Sequence, residues 1–374
     1  MRFTISSSEL YGRLSAASKV LSAKNSMPIL GNFLFNVRDD KLTVTASDGD
    51  KYFITSIPTI EQEGNEIFCV PTKTMMDSIK ELAEQPLTFE YDPATYILKG
   101  FHQSGQFVIM AQDASAYPLQ QEINPDAARL AIPCEVLLNG VTRCLFATAT
   151  DEVRMVMTGV FFDIKQDCII FAGTDGRKLV RNINRNVQPG MDGGFILPKK
   201  VANILKAVLG RCEEDIIINF DQEKAVIQGP DFELYFRLIE GNYPNYNAVI
   251  PVNNPFQATV DRLSLISALK RVGVFCNQSS GLMKLHLENN LMQISGQDHD
   301  YSTSAEENLM CDYNNSPISI GFSWQYMEEI ANILPGETIT VQLADPSRPG
   351  VITPGEPDPN DDVIMLLMPM MLSD

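Results

Sequence analysis

Histidine and tryptophan are nearly missing from this sequence: 374 residues hold three of the first and one of the second. His102, His286 and His299 lie apart, with no i, i+4 pair between them and no paired carboxylate beside them. A helical pair able to hold zinc is therefore absent, and metal-hydrolase chemistry loses its basis. The seven cysteines are scattered singly from Cys69 to Cys311, an odd number without a Cys-x-x-Cys pair. That pattern argues against a disulfide framework and a zinc site, and for buried free thiols. Neither a Gly-rich phosphate loop nor a nucleophile elbow is visible. No apolar run is long enough to span a bilayer. Met1-Arg-Phe-Thr-Ile5 runs straight into Ser6-Ser-Ser-Glu9, with no apolar signal region, so the expectation is a cytoplasmic protein without a membrane partner. Positive charge is also short. Lys and Arg number 29 against 47 Asp and Glu, a net −18, which taken alone speaks against nucleic acid, whose phosphates are bound by cations.

The length predicts two or three domains, and 44% hydrophobic with 20% charged residues is an ordinary globular composition. Within it lies a threefold repeat. Each copy opens with an amphipathic helix, over 6–21, 133–148 and 261–275, with apolar residues at helical spacing such as Leu10, Leu14, Ala17 and Leu21. Ser6-x-x-Glu9 reads as a capping box for the first. Two strand-like runs follow, and the second leads to an acidic turn: Asp48-Gly49, Asp175-Gly176 and Asp298-His299, the glycine being lost in the third copy.

Second helices recur over 71–82, 198–209 and 322–334, two of them starting at Pro71 and Pro198, where a missing N–H costs nothing. Further strands follow over 87–91 and 96–99, 216–220 and 225–228, and 338–343 and 351–353. The first two copies close on Tyr117-Pro118 and Tyr243-Pro244. Asp48, Asp175 and Asp298 are spaced by 127 and 123 positions, and the second helices by 127 and 124, so independent landmarks agree on one period. The fold class is α+β: three tandem similar domains, 1–124, 125–252 and 253–374, each with two helices on antiparallel sheet. One rival reading is a hydrolase using Asp48, Asp175 or Asp298. Repetition in all three copies suits a turn-stabilising role better than one active centre.

Met27-Pro-Ile-Leu-Gly-Asn32, Thr174-Asp-Gly-Arg-Lys-Leu179, Gly241-Asn-Tyr-Pro-Asn-Tyr246 and Leu367-Met-Pro-Met-Met-Leu372 stand in that order on the repeat. On these motifs the whole chain resembles the bacterial DNA sliding clamps, the beta subunits of the replicative polymerase. The resemblance implies a non-enzymatic protein without cofactors. It would form a ring-shaped head-to-tail homodimer that encircles double-stranded DNA without reading sequence, helices lining the hole and sheets outside.

Three working surfaces are implied. DNA would be met by Lys24, Lys73, Lys80, Arg143, Lys199, Lys200 and Lys206, with Lys19, Lys270 and Arg271 also on or beside helices, while acid crowds the strands and loops, as from Glu356 to Asp362. A field segregated in this way answers the objection from net charge. A partner groove would draw Met157, Thr174, Gly176, Arg177 and Leu179 from the second domain. Pro244 and Val249 would come from the linker, and Tyr326, Leu366, Met368, Pro369, Met370 and Leu372 from the third. Its ligands would be short hydrophobic linear motifs of the polymerase catalytic subunit, the clamp loader, other polymerases and repair proteins, and Met-rich walls suit such varied ligands. The dimer contact would place Phe107 against Val274 and Phe275 of the other protomer. Ala248, Arg177 and Met371 depart from the residues common in that family, and Ser373-Asp374 extend the tail, which bears on which motif is preferred. A protein-only scaffold that never meets DNA is the other rival reading.

Overall fold

Thr338-Ile-Thr-Val-Gln-Leu343 shows how strands arise here: every second residue is apolar, and Ile339, Val341 and Leu343 turn to one buried face. Ile169–Thr174 lacks alternation and is buried throughout, as a strand covered on both faces must be. The computed structural model describes residues 1–22, 27–120 and 122–372. All strand pairings in it are antiparallel, in three sheets distributed over two compact units.

The first unit comprises residues 1–137 and 203–238. Its five-stranded sheet runs Glu61–Glu63, Arg2–Ser6, Pro86–Asp92, Ile97–His102, Gly105–Met110. Its nine-stranded sheet joins strands of the first repeat to strands of the second through Tyr52–Pro58 and Phe232–Arg237, with Tyr52 opposite Tyr235. Helix α1 (Ser7–Ser18) buries Leu10, Leu14 and Ala17, each leucine giving about 1.5–3 kcal/mol of burial. Its N-cap is Ser6, whose Oγ accepts from the Glu9 amide at 3.1 Å. Helix α2 (Thr72–Ile79) buries Met75 and Ile79.

The second unit comprises residues 138–202 and 239–374 and holds one twelve-stranded sheet. Repeats two and three join in it through Lys178–Asn184 and Asp361–Leu367, paired over seven residues with Leu179 opposite Leu366. The chain runs from the first unit into the second along helix α3 (Cys134–Leu145) and back along α4 (Lys199–Val208). Helices α5 (Arg262–Gly273) and α6 (Trp324–Ile333) are N-capped by Asp261 and Ser323. Gly273 lets them close together, since a Cβ there would lie 2.6 Å from the Trp324 ring.

One expectation needs correction. Each repeat starts with a strand before its helix: Arg2–Ser6, Ala128–Pro133 and Phe256–Asp261. Pro71 and Pro198 end strands and stand directly before α2 and α4, next to the first turn as expected. The acidic turns, by contrast, are built alike. Asp48 Oδ1 accepts from the amides of Asp50 and Lys51, Asp175 Oδ1 from Arg177 and Lys178, and Asp298 Oδ1 from Asp300 and Tyr301. Gly49 and Gly176 take φ of +97° and +86°, whereas His299 keeps an ordinary φ, so the third turn has no need of glycine.

The acidic stretch that ends at Asp362 is tied down by arginine. Asp361 accepts from Arg143 Nη1 at 2.5 Å and from Asn182 at 2.8 Å, Asp362 from Arg181 at 2.9 Å, and the Pro359 carbonyl from Arg185 at 2.9 Å. Arg143, expected on a DNA-facing surface, is 8% exposed and spends its charge here; the acid that claims it is 218 residues away. Burial raises the Asp361 pKa, but hydrogen bonds from Asn182, Arg143 and Asn184 outweigh it and hold the carboxyl below the usual range. A lowered carboxyl contributes its stability above its unfolded value and loses it as pH falls through the folded one. Removing one partner strands the other, so Arg143→Ala should cost about 3 kcal/mol in urea unfolding at neutral pH, and the deficit should shrink below about pH 4 as Asp361 protonates.

Candidate functional site

Where the strand Asp361–Leu367 ends, Pro369 has no amide to continue the ladder. The tail beyond is still held, because Met368 N donates to Arg177 O and Met370 N to Gly321 O, each at 2.8 Å. Gly321 permits that approach, since a Cβ there would lie 2.5 Å from the Met370 carbonyl. Met368 is pinned in this way yet 44% exposed, with a cavity on either side.

The first cavity, about 160 Å³, is largely apolar. The acidic turn and its strand supply Thr174, Gly176, Arg177 and Leu179, the segment after Tyr243 supplies Pro244 and Val249, and Met157, Leu366 and Met368 line it as well. Beneath it, Leu179, Tyr246, Val351 and Leu366 pack as one buried cluster with Ala172. The second cavity, about 630 Å³, takes Arg177, Tyr326, Met368, Pro369 and Met370, and its far wall is polar, formed by Ser279, Ser280, Ser323 and Gln325. Leu372 lines neither; its side chain lies over Gly321.

Residues that sequence reasoning passed over shape both cavities. Tyr246 lay within the quoted motif and is 5% exposed; its hydroxyl donates to Asp163 at 2.6 Å and fixes the segment carrying Pro244 and Val249. Burial first, and then the Asp163 carboxylate, push its pKa up, so it stays a neutral donor. Arg154 lies against Gly176. Pro349 closes one side, and a single proline in a loop carries no periodic signal. Lys178, 7% exposed, holds its Nζ 3.3 Å from Glu329 and 4.0 Å from the centroid of the Tyr326 ring. It braces the tyrosine between carboxylate and ring.

The expected DNA-facing cations take different positions. Lys73 and Lys80 are exposed at the two ends of α2, and Lys206 is exposed in the last turn of α4. Lys199 and Lys200 are half-buried at the start of α4, where the helix dipole disfavours cations. Arg143 leaves the set, and Lys24 lies outside the described residues. Lys270 and Arg271 are engaged by Glu328 and Glu307. Among the described residues no three His, Cys, Asp or Glu converge to hold a metal ion, and no helix is long and apolar enough to cross a membrane.

Of the expected dimer residues, Phe107 is half-buried on the edge strand Gly105–Met110, where it covers Gly100 and meets Phe89 edge-on. Val274 and Phe275, just after α5, are 77% and 38% exposed. In both joints between repeats, the strand after an acidic turn pairs with the last strand of the next repeat. The third such strand, Thr303–Asp312, has no counterpart to pair with. Among the described residues, only its final Cys311 and Asp312 find a partner on the outer side.

Comparison with known proteins agrees with this architecture. Three family models match in order: DNA polymerase III beta subunit, N-terminal domain, over residues 1–121, central domain over 131–245, and C-terminal domain over 247–371. A beta sliding clamp of Synechococcus elongatus is 28% identical with all of both chains covered, and one of Staphylococcus epidermidis is 24% identical over 99% of each. Among solved structures, a sliding clamp of Pseudomonas aeruginosa bound to griselimycin superposes with a TM-score of 0.93 at 22% identity, and a beta subunit of Thermotoga maritima with 0.90 at 23%, each covering both chains fully.

Lys178→Met should keep the aliphatic stem and lose the cation over Tyr326. Expected is a loss of about 1–2 kcal/mol in urea unfolding, together with a red-edge tyrosine absorbance change reporting a freed ring.

Proposed function

The chain belongs to the DNA polymerase III beta subunit family and is a DNA sliding clamp, a processivity factor of replication, and we propose that it works as a head-to-tail ring of two copies around duplex DNA. The two unmatched edges carry this reading. Among the described residues, Thr303–Met310 lacks the strand that both internal joints receive, and Gly105–Met110, which lies 127 positions before Phe232–Arg237, has one side open. A chain whose two ends complement each other closes into a ring with a second copy, and closure also removes exposed edges. Exposed Val274 and Phe275 near one edge and Phe107 on the other fit such a contact.

The domains are taken as 1–124, 125–252 and 253–374. Within the ring, Lys73, Lys80, Lys199, Lys200 and Lys206, together with Lys24, attract phosphate weakly and without base contacts, as sliding requires. The paired cavities around Met368 receive short hydrophobic motifs of the polymerase catalytic subunit, the clamp loader, other polymerases and repair proteins. An aliphatic side chain would occupy the apolar cavity and a hydrogen-bonding one would face the serine wall of the second. The clamp acts in the cytoplasm and performs no chemistry of its own. The three repeated aspartates support that, since each has Oδ1 committed to backbone amides.

Loaded onto nicked circular DNA by a matching loader with ATP, the protein should co-elute with the circle and leave once the circle is linearised. Failure to co-elute with a verified loader would return the protein-only scaffold. Met368→Ala with Met370→Ala should abolish partner-peptide binding in fluorescence anisotropy and leave the dimer intact in ultracentrifugation; unchanged affinity would remove the groove assignment. Lys199→Glu with Lys200→Glu should make the salt dependence of duplex binding shallower by about two contacts in log–log slope.

A further inference from the structure

Among the described residues, two side chains line both cavities of the groove, Arg177 and Met368. Their backbones are joined, since Met368 N donates to Arg177 O at 2.8 Å. The Met368 side chain is thereby kept at the passage between the cavities, and it is 44% exposed there.

A thioether is an apolar group that a mild two-electron oxidant turns polar, and how fast depends on access. Met75, Met283, Met292, Met327 and Met365 are buried in the core. Met157 and Met370 line one cavity each and are half-buried. Met155 and Met371 are more open, at 58% and 94%, but line neither cavity. Exposure and a place at the passage coincide in Met368. A sulfoxide there would carry a strongly accepting oxygen. Turned toward Leu179, Val249 and Leu366, that oxygen would give up its water in an apolar wall. Turned the other way it meets Arg177, which is exposed and is the one charged side chain lining the second cavity. A guanidinium offers a fork of donors and no acceptor, which suits such an oxygen.

We propose that Met368 is an oxidation switch of the groove: a peroxide converts its thioether to the sulfoxide, Arg177 holds the sulfoxide oxygen across the passage, and peptides are shut out. The sulfur lone pair takes one peroxide oxygen, so that an S–O bond forms, the O–O bond breaks and the other oxygen leaves as water. Sulfur is oxidised by two electrons and the peroxide reduced by two. A dithiol acting through sulfoxide reductases reverses the step, becoming a disulfide while the oxygen leaves as water. The switch rests on the groove reading, because it needs these cavities to hold a peptide.

The test uses the full chain and a labelled peptide built on Gln-Ser-Leu-Leu, with an amide for the serine wall and leucines for the apolar cavity. Anisotropy is read on each chain before and after hydrogen peroxide, with sulfoxides located by mass spectrometry, so that every variant is its own reference. Oxidation should weaken binding about tenfold in the unmodified chain and in Met371→Leu. Met368→Leu should lose none of whatever affinity it starts with, and Arg177→Ala should lose less than the unmodified chain. The two epimer-specific sulfoxide reductases with a dithiol should restore binding. Saturating peptide should slow sulfoxide formation at Met368 and leave Met27, 40% exposed in the first unit, unprotected. Unchanged affinity once Met368 is mapped as the sulfoxide overturns the switch and keeps the groove. An equal loss in Met368→Leu places the effect at another methionine and overturns it too. An undiminished loss in Arg177→Ala removes Arg177 from it. If the untreated chain does not bind the peptide and peptide protects no methionine, the groove reading itself falls and the switch falls with it.

Discussion

Backbone hydrogen bonding between one repeat and the next is the constraint on which the rest of this structure hangs. A strand that follows an acidic turn has an open edge, and an open edge must be paired, covered or charged. Twice the last strand of the following repeat pairs it, Phe232–Arg237 on Tyr52–Pro58 and Asp361–Leu367 on Lys178–Asn184. These joints make single sheets out of separate repeats. They also set the register that brings Leu366 opposite Leu179 and so shapes the floor of the apolar cavity. The arginine and asparagine contacts to Asp361 and Asp362 act on the same seam, holding with charge what the ladder holds with amides.

Function follows from what this seam leaves over. A strand that pairs as far as Leu367 and then meets a proline must release its remaining residues. Those residues are methionines and a leucine, adaptable apolar groups held at two backbone points. The groove is thus the frayed end of an inter-repeat strand, built where pairing stops. The same geometry one repeat earlier ends on Arg237 instead of Met368.

The acidic turns show how a repeated residue is to be read. Three aspartates in equivalent places suggest chemistry only if some of them are free to do it. Here each binds two amides of its own turn, which explains the repetition by local backbone need. Arg143 teaches the converse. On a helix near other cations it reads as a surface charge, and the acid that buries it is invisible at 218 residues' distance.

Local physics is what the sequence by itself determined. The period of the repeat, the amphipathic helices with their Ser6 cap, the alternating strands such as Thr338–Leu343 and the Asp-Gly turns all depend on neighbours within a few positions, and all were legible. The strands opening each repeat were missed, because five or six residues such as Arg2–Ser6 are too short for periodicity to declare, and their partners, Pro86–Asp92 in the first case, lie far along the chain. Tertiary structure alone decided which cations are spent inside the protein, which edges remain unpaired, and that Tyr246, Lys178 and Pro349 share the groove with Met368. Those outcomes turn on contacts between residues many tens of positions apart, where sequence spacing carries no record of distance in space.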